Sequence, residues 1–436
     1  MCVHERGQER RRIGRSAPWA ILAALACSAG GASPPSIVLV TIDTLRADRL
    51  SSYGYPLPTS PNLDRLAARG VRFENALAPS SSTAPTHASI FTGQLPSSHS
   101  VGAFNSQFAL DDEWPTLAQK LRDARYATAA IVSNPLLGRG LGLDRGFEHY
   151  DDETLGEGRF AAKGRRARHA VDRALAWLEA SPPTPFFLWL HLQDTHGPYA
   201  PDPDWTCPVG QNPAGARLTL PIGSDASGHE AIPTYQVWDA ARELAEYGHR
   251  YDCELAGLDH QLGRLLGRTR DDPVLRNALV VVTADHGEAF GEDGFYFAHG
   301  HSIGLDQVRV PLIVAGADLP VGRVVAQPVG LAALFVSLLE IAGVSVPGEP
   351  ASLFALLDGS PGTPVFVESL NQVGVASNGV FARRDLYPAD DREFWSRGNP
   401  NGGGSYWAPL GPARVEMLGA DGSAAGAGAA RGRRPG

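Results

Sequence analysis

The sequence predicts an α/β protein built on a mostly parallel sheet, and two observations carry this prediction. Residues 278–283 form an unbroken apolar run rich in β-branched side chains and too short to cross a membrane. Such a run is typical of a strand that is buried on both faces of a parallel sheet. Runs of this kind alternate with helix-like segments along the chain, which is the order expected when helices connect parallel strands.

Each element follows from its own local pattern. The strand candidates are short apolar runs, and in chain order they are residues 36–42, 127–133, 186–193 and 278–283. The helix candidates have apolar residues near helical spacing, and they are residues 60–69, 80–93, 113–124, 165–179 and 235–268. The apolar side chains of the last helix are expected to lie in the core.

Two regions lack such periodicity. Residues 200–233 are rich in Pro, Gly, Asp and Ser, so we expect a long loop beside the functional site that carries substrate specificity. From Gly402 onward the chain is rich in Gly and Ala, a composition that buries little apolar surface. We therefore expect a C-terminal subdomain remnant over residues 347–412 and a disordered tail over residues 413–436.

Length and charge limit the possible functions. A chain of 436 residues can bury a large core, and we expect one main domain over residues 34–346 with a small C-terminal appendage. The formal net charge of -9, without a basic stripe away from the termini, argues against nucleic acid as a partner. The sequence does not reveal the oligomeric state.

The N-terminal segment 1–33 is typical of an export signal followed by a linker. A basic stretch over residues 10–15 precedes a short apolar stretch over residues 17–29 that ends in small residues. We expect a periplasmic or secreted protein without a transmembrane helix in the mature chain. Cys27 offers a second interpretation, in which the mature protein is a lipoprotein.

Two cysteines remain in the body of the chain, Cys207 and Cys253. In an oxidising compartment they can form a disulfide, and two separate buried thiols fit their spacing equally well.

Acidic residues and histidines follow three of the predicted strands. Asp43 follows the first strand, Asp194 and His196 follow the strand at 186–193, and Asp285 and His286 follow the strand at 278–283. Open α/β sheets keep their ligand sites at the carboxyl ends of the strands, so these groups are expected to meet. Carboxylate oxygens with imidazole nitrogens predict a divalent metal site, with zinc favoured, manganese or magnesium less favoured and calcium weakest.

The segment 82–93 offers a nucleophile. Thr83 precedes a helix-like run that ends at Gly93, and a hydroxyl at a helix N-terminus lies where backbone N–H groups favour an anion. The alternative is that Thr83 only caps the helix.

With these residues in place, the chain resembles the sulfatase-like branch of the alkaline phosphatase superfamily over residues 36–343. Six motifs occur in the family's order, and they are Asp43 with Tyr53-Gly54, Pro61-Asn62-Leu63-Asp64-Arg65-Leu66-Ala67, Pro85 with Ala88-Ser89 and Thr92-Gly93, Asp194-Thr195-His196-Gly197-Pro198-Tyr199, Asp285-His286-Gly287-Glu288, and Arg309-Val310-Pro311-Leu312-Ile313. The resemblance implies an alkaline-phosphatase-like α/β/α sandwich. It also implies a metal-bound nucleophile that attacks the phosphorus or sulfur of an ester and forms a covalent intermediate.

The resemblance assigns roles by position. Thr83 would be the nucleophile and a metal ligand together with Asp43, Asp285 and His286. A second metal ion, or the anionic group of the substrate, would be held by His196 and His299, with Asp194 as a further ligand or as an acid that supports one. A metal ion lowers the pKa of a coordinated hydroxyl and neutralises charge on the transferring group, which agrees with the chemistry argued from the residues.

The departures from the family pattern indicate the reaction. Sulfatases carry a cysteine or serine that is oxidised to formylglycine and is followed, four residues later, by arginine. This chain has Thr83 and His87 at those positions, and threonine cannot become formylglycine. Sulfatases also use two lysines against the sulfate, whereas the only lysines here are Lys120 and Lys163. Thr44 replaces the second aspartate of the family's N-terminal pair.

These differences favour hydrolysis of a phosphoester, and a phosphodiester in particular, of a small-molecule, lipid or glycan substrate. Asn105 lies where related phosphodiesterases keep an amide against the phosphoryl oxygen. His87 could hydrogen-bond Thr83 or the phosphoryl group, or lie on the helix surface. His301 could replace His299 as a ligand, and His191 is expected to be structural.

Three alternatives remain open from the sequence. One is a sulfuric ester hydrolase, a second is a phosphoethanolamine-type transferase, and the third is an inactive binding protein that keeps the fold. The transferases usually carry several membrane helices, which disfavours the second.

Overall fold

The computed structural model describes residues 34–102, 109–153, 164–202, 204–212, 218–273, 275–316, 318–346, 352–369, 372–385, 413–418 and 424–425. The predicted export signal, Cys27 and Asn105 lie outside these residues, so their assignments stay predictions. Within the described part of the chain, no helix combines the length and apolar character needed to span a bilayer.

The central sheet contains nine strands among the described residues. In chain order they are β1 (Ile37–Ile42), β2 (Val71–Leu77), β3 (Ala127–Ile131), β4 (His149–Asp151), β5 (Phe186–Leu192), β6 (Leu279–Ala284), β7 (Arg309–Ala315), β8 (Arg323–Val325) and β9 (Val329–Gly330). Their spatial order is β4-β3-β5-β1-β6-β7-β2-β8, with β9 beside β2. Strands β4 to β6 in that order are parallel, and β7 runs antiparallel to both neighbours. This arrangement confirms the α/β fold class and the four predicted strands.

The register of the three central strands places the site. Ile42 on β1 is paired with Leu192 on β5 and with Ala284 on β6. Asp43 and Asp285 are the next residues on β1 and β6, so both acids leave the sheet at the same level and the same edge. Parallel pairing therefore brings together residues 242 positions apart, a difference given by their numbers.

Helices cover the sheet in two groups. The helices are α1 (Pro61–Ala68), α2 (Thr83–Thr92), α3 (Pro96–His99), α4 (Leu117–Asp123), α5 (Ala167–Glu179), α6 (Leu244–Asp271), α7 (Leu305–Val308) and α8 (Leu334–Ile341). Helices α1 and α5 pack on α6, whereas α2 and α4 pack on α8. On β5, Phe186 contacts Trp177 of α5, and on the opposite face Trp189 contacts Phe91 of α2. Because side chains alternate along the strand, its two faces contact two helical layers.

Helix α6 begins later than the sequence predicts. The pattern suggested a start near Tyr235, whereas the helix starts at Leu244. Asp239 has a left-handed backbone with φ of 41°, which cannot continue a right-handed helix. The Tyr235 hydroxyl and the Gln236 amide instead donate to the carbonyl oxygen of Phe297, at 2.7 Å and 3.3 Å.

A second sheet corrects the expectation for the C-terminal region. Five antiparallel strands occur among the described residues, and they are β10 (Val365–Glu368), β11 (Gln372–Ser377), β12 (Val380–Asp385), β13 (Ala413–Leu418) and β14 (Ala424–Ala425). Residues 413–418 therefore belong to an ordered strand and not to a disordered tail. Strand β13 pairs with β12 through backbone hydrogen bonds, which do not depend on the side-chain composition that suggested disorder.

The second sheet packs against the main domain. A small core cluster joins residues of both parts, namely Leu77, Ile303, Val308, Val365, Val367, Ala376, Phe381 and Leu418. Polar contacts add to it, because Arg383 pairs with Asp293 and Glu368 accepts hydrogen bonds from Ser97.

The described residues of the loop over 200–233 have little regular structure, as predicted, and they are attached at two places. Cys207 forms a disulfide with Cys253 of α6, which decides between the two alternatives for these cysteines. Further along, His229 forms an isolated bridge with Phe295. The loop therefore lies against α6 and against the segment that carries His299.

Candidate metal centre and nucleophile

A buried cluster of Asp43, Asp285 and His286 lies at the carboxyl ends of β1 and β6. One ligand atom from each residue lies within 4.8 Å of the others. The Nε2 atom of His286 is 3.6 Å from Asp43 Oδ1 and 3.5 Å from Asp285 Oδ2. All three side chains are fully buried. Two carboxylates and an imidazole at these separations can hold one divalent cation.

Thr83 reaches this cluster from helix α2. It is the first residue of α2 and is buried, and its Oγ1 lies 3.2 Å from Nε2 of His286. The cap position is taken by Ser82, whose extended backbone begins the helix. Thr83 therefore presents its hydroxyl to the candidate metal centre at the positive end of the helix dipole.

The electrostatics of the cluster call for a cation. Burial raises the pKa of Asp285 well above its usual range, and the charge of Asp43 raises it further. Burial opposes the ionisation of Asp43 as well, but the imidazoles, with His196 and His286 the strongest, bring its pKa below the usual range. Asp43 Oδ1 and Asp285 Oδ2 are buried and find no hydrogen-bond partner among the described residues. Two orphaned carboxylate oxygens beside an imidazole fit a bound divalent metal ion, because a cation satisfies both.

Two further histidines stand next to the cluster. The rings of His286 and His299 are 4.4 Å apart between centroids, and those of His299 and His196 are 5.0 Å apart. Burial lowers the pKa of His299 to about 3, which favours the neutral ring. The structure thus places the rings of His196 and His299 beside His286, and their roles stay predictions.

Glu288 is a site residue that sequence reasoning quoted only as part of a motif. Its Oε1 lies 2.9 Å from Nδ1 of His299, and its Oε2 accepts a hydrogen bond of 2.9 Å from the Tyr199 hydroxyl. Burial raises the pKa of Glu288 to about 7. Because the carboxylate engages Nδ1 of His299, Nε2 is the ring nitrogen that faces away from Glu288. Its position three residues after Asp285 was the available signal.

Asn134 is a second residue that sequence reasoning missed. Its Nδ2 donates a hydrogen bond of 2.7 Å to Asp43 Oδ2, while Oδ1 of Asp43 stays directed at His286. Asn134 follows β3, two strands away from β1 in the sheet, so only the sheet order reveals the contact. Its position directly after the predicted strand at 127–133 was the available signal.

Asp194, expected as a further ligand or as an acid that supports one, contacts the N-terminus of a helix. Its Oδ2 accepts a hydrogen bond of 2.7 Å from the backbone N–H of Ala167, the first residue of α5. A carboxylate at a helix N-terminus is stabilised by the helix dipole and by the unsatisfied backbone donors. This contact directs one carboxylate oxygen of Asp194 toward α5.

His87 and His191 lie under the site, in the layer between the sheet and α2. The Nδ1 of His87 lies 2.8 Å from the carbonyl oxygen of Thr83, and its Nε2 lies 3.0 Å from Thr41 Oγ1. Both ring nitrogens are therefore used inside the protein, and His87 holds the backbone of Thr83 instead of contacting substrate or lying on the helix surface.

His191 was expected to be structural. Its Nε2 lies 3.8 Å from Asp43 Oδ2, and its ring meets that of His87 edge-on at 5.2 Å. Burial lowers the pKa of His191 to about 3. Its side chain extends from the same face of β5 as Trp189, and that face is the one that α2 covers.

His301 lies apart from the metal cluster. Its ring stacks on Phe295 at 4.9 Å, with 7° between the planes. The ring that meets His286 belongs to His299, so the loop does not slide to make His301 the ligand.

The comparison with known families decides the family of this chain. A family model described as Sulfatase matches residues 35–344, most of the chain and all of the residues above. The chain belongs to the sulfatase family. This confirms the resemblance and makes the protein an ester hydrolase of a metal-dependent family.

Relatives of this sulfatase-family chain are distant. A sulfatase of Formosa agariphila is 23% identical, over 71% of this chain and 69% of that protein. The iduronate 2-sulfatase of Mus musculus is 25% identical, over 72% and 69%. The crystal structure of a phosphonate monoester hydrolase of Agrobacterium radiobacter has the same fold, with a TM-score of 0.65 at 18% identity over 88% of this chain and 89% of that one.

Proposed function

We propose that this member of the sulfatase family hydrolyses a phosphodiester through a threonine nucleophile. The observation that supports the proposal most directly is the position of Thr83, whose Oγ1 lies 3.2 Å from His286 Nε2 at the N-terminus of α2. Thr83 occupies the position of the family's formylglycine precursor and cannot be converted to it. A hydroxyl nucleophile gives a stable ester intermediate, which suits phosphoryl transfer followed by hydrolysis.

The residues around Thr83 have separate tasks in this proposal. Asp43, Asp285, His286 and Thr83 would hold one divalent metal ion. Such an ion lowers the pKa of a hydroxyl and offsets charge on the transferring group. The Thr83 oxygen attacks phosphorus, the bond to one alcohol breaks, and water then cleaves the threonine ester. His196 and His299 would hold the phosphoryl oxygens or the leaving alcohol.

The charge of the site supports a monoanionic substrate. The region near His299 carries imidazoles where sulfatases use lysine, and burial keeps the His299 pKa at about 3. Lys120 lies on α4, which packs on α8, and the second lysine of the chain, Lys163, lies outside the described residues. A phosphodiester carries one negative charge, whereas a phosphate monoester carries two at neutral pH and needs more positive charge.

The metal and the location follow the same reasoning. We infer zinc, because imidazole and carboxylate together favour it over calcium or magnesium. A second ion would have to be held by His196 and His299 without Asp194, so we propose a single ion. Export through the segment 1–33 belongs to the same proposal.

Hydrolysis of a sulfate ester is the second candidate function. It is favoured by the relatives, whose names include iduronate 2-sulfatase and a hexuronate-2-O-sulfatase of Bacteroides thetaiotaomicron. By that analogy the substrate would be a sulfated glycan.

The deciding experiment compares three aryl esters of the same phenol, namely a phosphodiester, a phosphate monoester and a sulfate, with purified metal-loaded protein. We expect the phosphodiester to be the best substrate and Thr83→Ala to lower its kcat by at least about 1,000-fold. Thr83→Ser should keep measurable activity and an equal metal content. Sulfate turnover that survives Thr83→Ala, or a protein inert toward all three esters, would contradict the proposal.

A further inference from the structure

A second group of metal-binding side chains lies away from the catalytic cluster, on α6 and the long loop. It consists of Cys207, His249 and Cys253, whose candidate ligand atoms all lie within 4.8 Å of one another. The two cysteines form the disulfide that attaches the loop to the helix. The Sγ atom of Cys253 is 3.7 Å from Nε2 and 4.0 Å from Nδ1 of His249. We call these three residues the loop anchor.

We propose that the loop anchor becomes a zinc site when its disulfide is reduced. Two thiolates and one imidazole are a donor set that zinc prefers in proteins. His249 and Cys253 are four residues apart on α6, so both side chains lie on one face of the helix. Cys207 reaches that face from the loop. The inference uses no residue of the proposed catalytic mechanism and does not depend on it.

One of these separations already fits a single ion, and the two sulfur atoms must move apart once their disulfide bond is reduced. With Zn–S near 2.3 Å and Zn–N near 2.1 Å at a tetrahedral angle, sulfur and nitrogen ligands stand about 3.6 Å apart. The 3.7 Å between Cys253 Sγ and His249 Nε2 already meets this separation. The helix therefore presents two ligands at zinc-binding distance without any change in its backbone.

A cavity supplies room for the fourth ligand. It has a volume of about 810 Å³ and borders both His249 and Cys253. Glu246 lines the same cavity, one helical turn before His249, and its Oε1 accepts a hydrogen bond from Arg250 at 3.2 Å. A water molecule, or the carboxylate of Glu246 after release from Arg250, completes a tetrahedral set.

The chemistry balances with a dithiol as the reductant. The dithiol gives two electrons and two protons to the disulfide, which yields two cysteine thiols, and the reductant itself closes to a cyclic disulfide. Zinc binding then releases both thiol protons to solvent, leaving two thiolates on the ion. The disulfide and the metal thus exclude each other at the same three residues.

The consequence concerns the loop. Ala200, near the start of the loop, donates its backbone N–H to Glu254 of α6, the neighbour of Cys253. Tyr199, the residue before it, donates to Glu288 beside His299. A zinc ion at the loop anchor would keep this stretch attached to α6 before the disulfide forms, in the reducing compartment that an exported chain leaves.

The experiment titrates cobalt, as a spectroscopic probe for zinc, into oxidised and dithiol-reduced protein in parallel. We expect the reduced protein to bind one more ion per chain than the oxidised protein, with thiolate-to-cobalt charge-transfer absorption that zinc abolishes. His249→Ala, which leaves the disulfide intact for folding, should weaken this added binding at least about tenfold.

The matched control is His260→Ala, which removes another histidine of α6 that stacks on Trp205 at 4.6 Å. It should leave the added binding unchanged. Equal cobalt uptake by reduced and oxidised protein would overturn the proposal, and so would full charge-transfer absorption in reduced His249→Ala. Because the readout is metal uptake and not turnover, its failure is separate from a failure of the proposed hydrolysis.

Discussion

At the scale of single residues, Glu288 shows how a buried carboxylate organises a site that it does not itself ligate. It is fully buried, it contacts Nδ1 of His299, and it is held by the Tyr199 hydroxyl. Because one nitrogen of His299 is occupied, the ring has one orientation toward His286. The acid therefore acts through the histidine.

Replacing this acid tests its role. We expect Glu288→Gln to lower kcat toward the best ester by about 10- to 100-fold, because the amide can no longer fix the imidazole as an anion does. Metal content, measured by elemental analysis, should not change. Glu340→Gln, an exposed position on α8, serves as the control and should keep full activity. Loss of metal in step with loss of activity would contradict a role through His299.

At the scale of elements, α6 supplies the cap of a different helix. Asp259 on α6 accepts hydrogen bonds of 2.9 Å from the backbone N–H groups of Asn62 and Leu63, near the N-terminus of α1. These donors have no partner within their own helix turn, so an acceptor from another element replaces a local cap. The contact fixes α1 against α6 on one face of the sheet.

The protonation of the Asp259 carboxylate predicts that the stability of the protein depends on pH. Burial raises the pKa of Asp259 from 3.8 to about 6. The stability that its protonated form contributes is complete below pH 4 and is lost as the pH rises through about 6, a change of about 3 kcal/mol. Asparagine does not titrate. We therefore expect Asp259→Asn to destabilise the protein more at pH 4 than at pH 7.

Urea unfolding at both pH values measures this difference. The control is Asp271→Asn, an exposed acid at the end of the same helix, which should change the unfolding free energy far less than Asp259→Asn does at pH 4. An equal effect of Asp259→Asn at pH 4 and pH 7 would show that the cap keeps an ordinary pKa.

At the scale of the whole molecule, the second sheet and the main domain share a core. Phe381 of β12 is fully buried in the cluster that contains Leu77 of β2 and Ile303, a residue of the segment between β6 and α7 that carries His299. Arg383, two residues later, reaches Asp293 on that segment. The two sheets should therefore unfold together.

Truncation of that core tests the coupling. We expect Phe381→Ala to lower the unfolding free energy of the entire chain by about 3 to 5 kcal/mol through the cavity it leaves. Circular dichroism and tryptophan fluorescence should then follow one shifted transition. Phe366→Ala, on the outer face of the same sheet and 53% exposed, should cost far less. A separate early transition after Phe381→Ala would mean that the second sheet unfolds alone.

Much of this fold and part of its site could be predicted from the sequence. Strands such as β1 and β6 are short apolar runs, which are typical of strands buried on both faces of a parallel sheet. Asp43 and Asp285 follow them directly. The N-terminus of α2 at Thr83 followed from a hydroxyl before a helical run. These features are local, since each depends on residues within a few positions.

Other features required the tertiary structure. The sequence could not tell that Asp194 turns to the N-terminus of α5, that His191 lies beside Asp43, or that Asn134 holds the Asp43 carboxylate. Each is a contact between side chains from separate strands or helices, and its existence depends on sheet order and on which face of a strand a residue occupies. The late start of α6 at Leu244 has the same origin, because contacts of Tyr235 and Gln236 with Phe297 compete with helix formation.

By itself, then, the sequence determined which elements form, which acids follow the strands and which hydroxyl residue begins α2. Periodicity and chain polarity fix these features locally. Only the tertiary structure decided which of these groups share one site and which nitrogen or oxygen each one presents. The reason is physical: the orientation of a buried side chain is set by the hydrogen-bond partners that packing brings to it from distant parts of the chain.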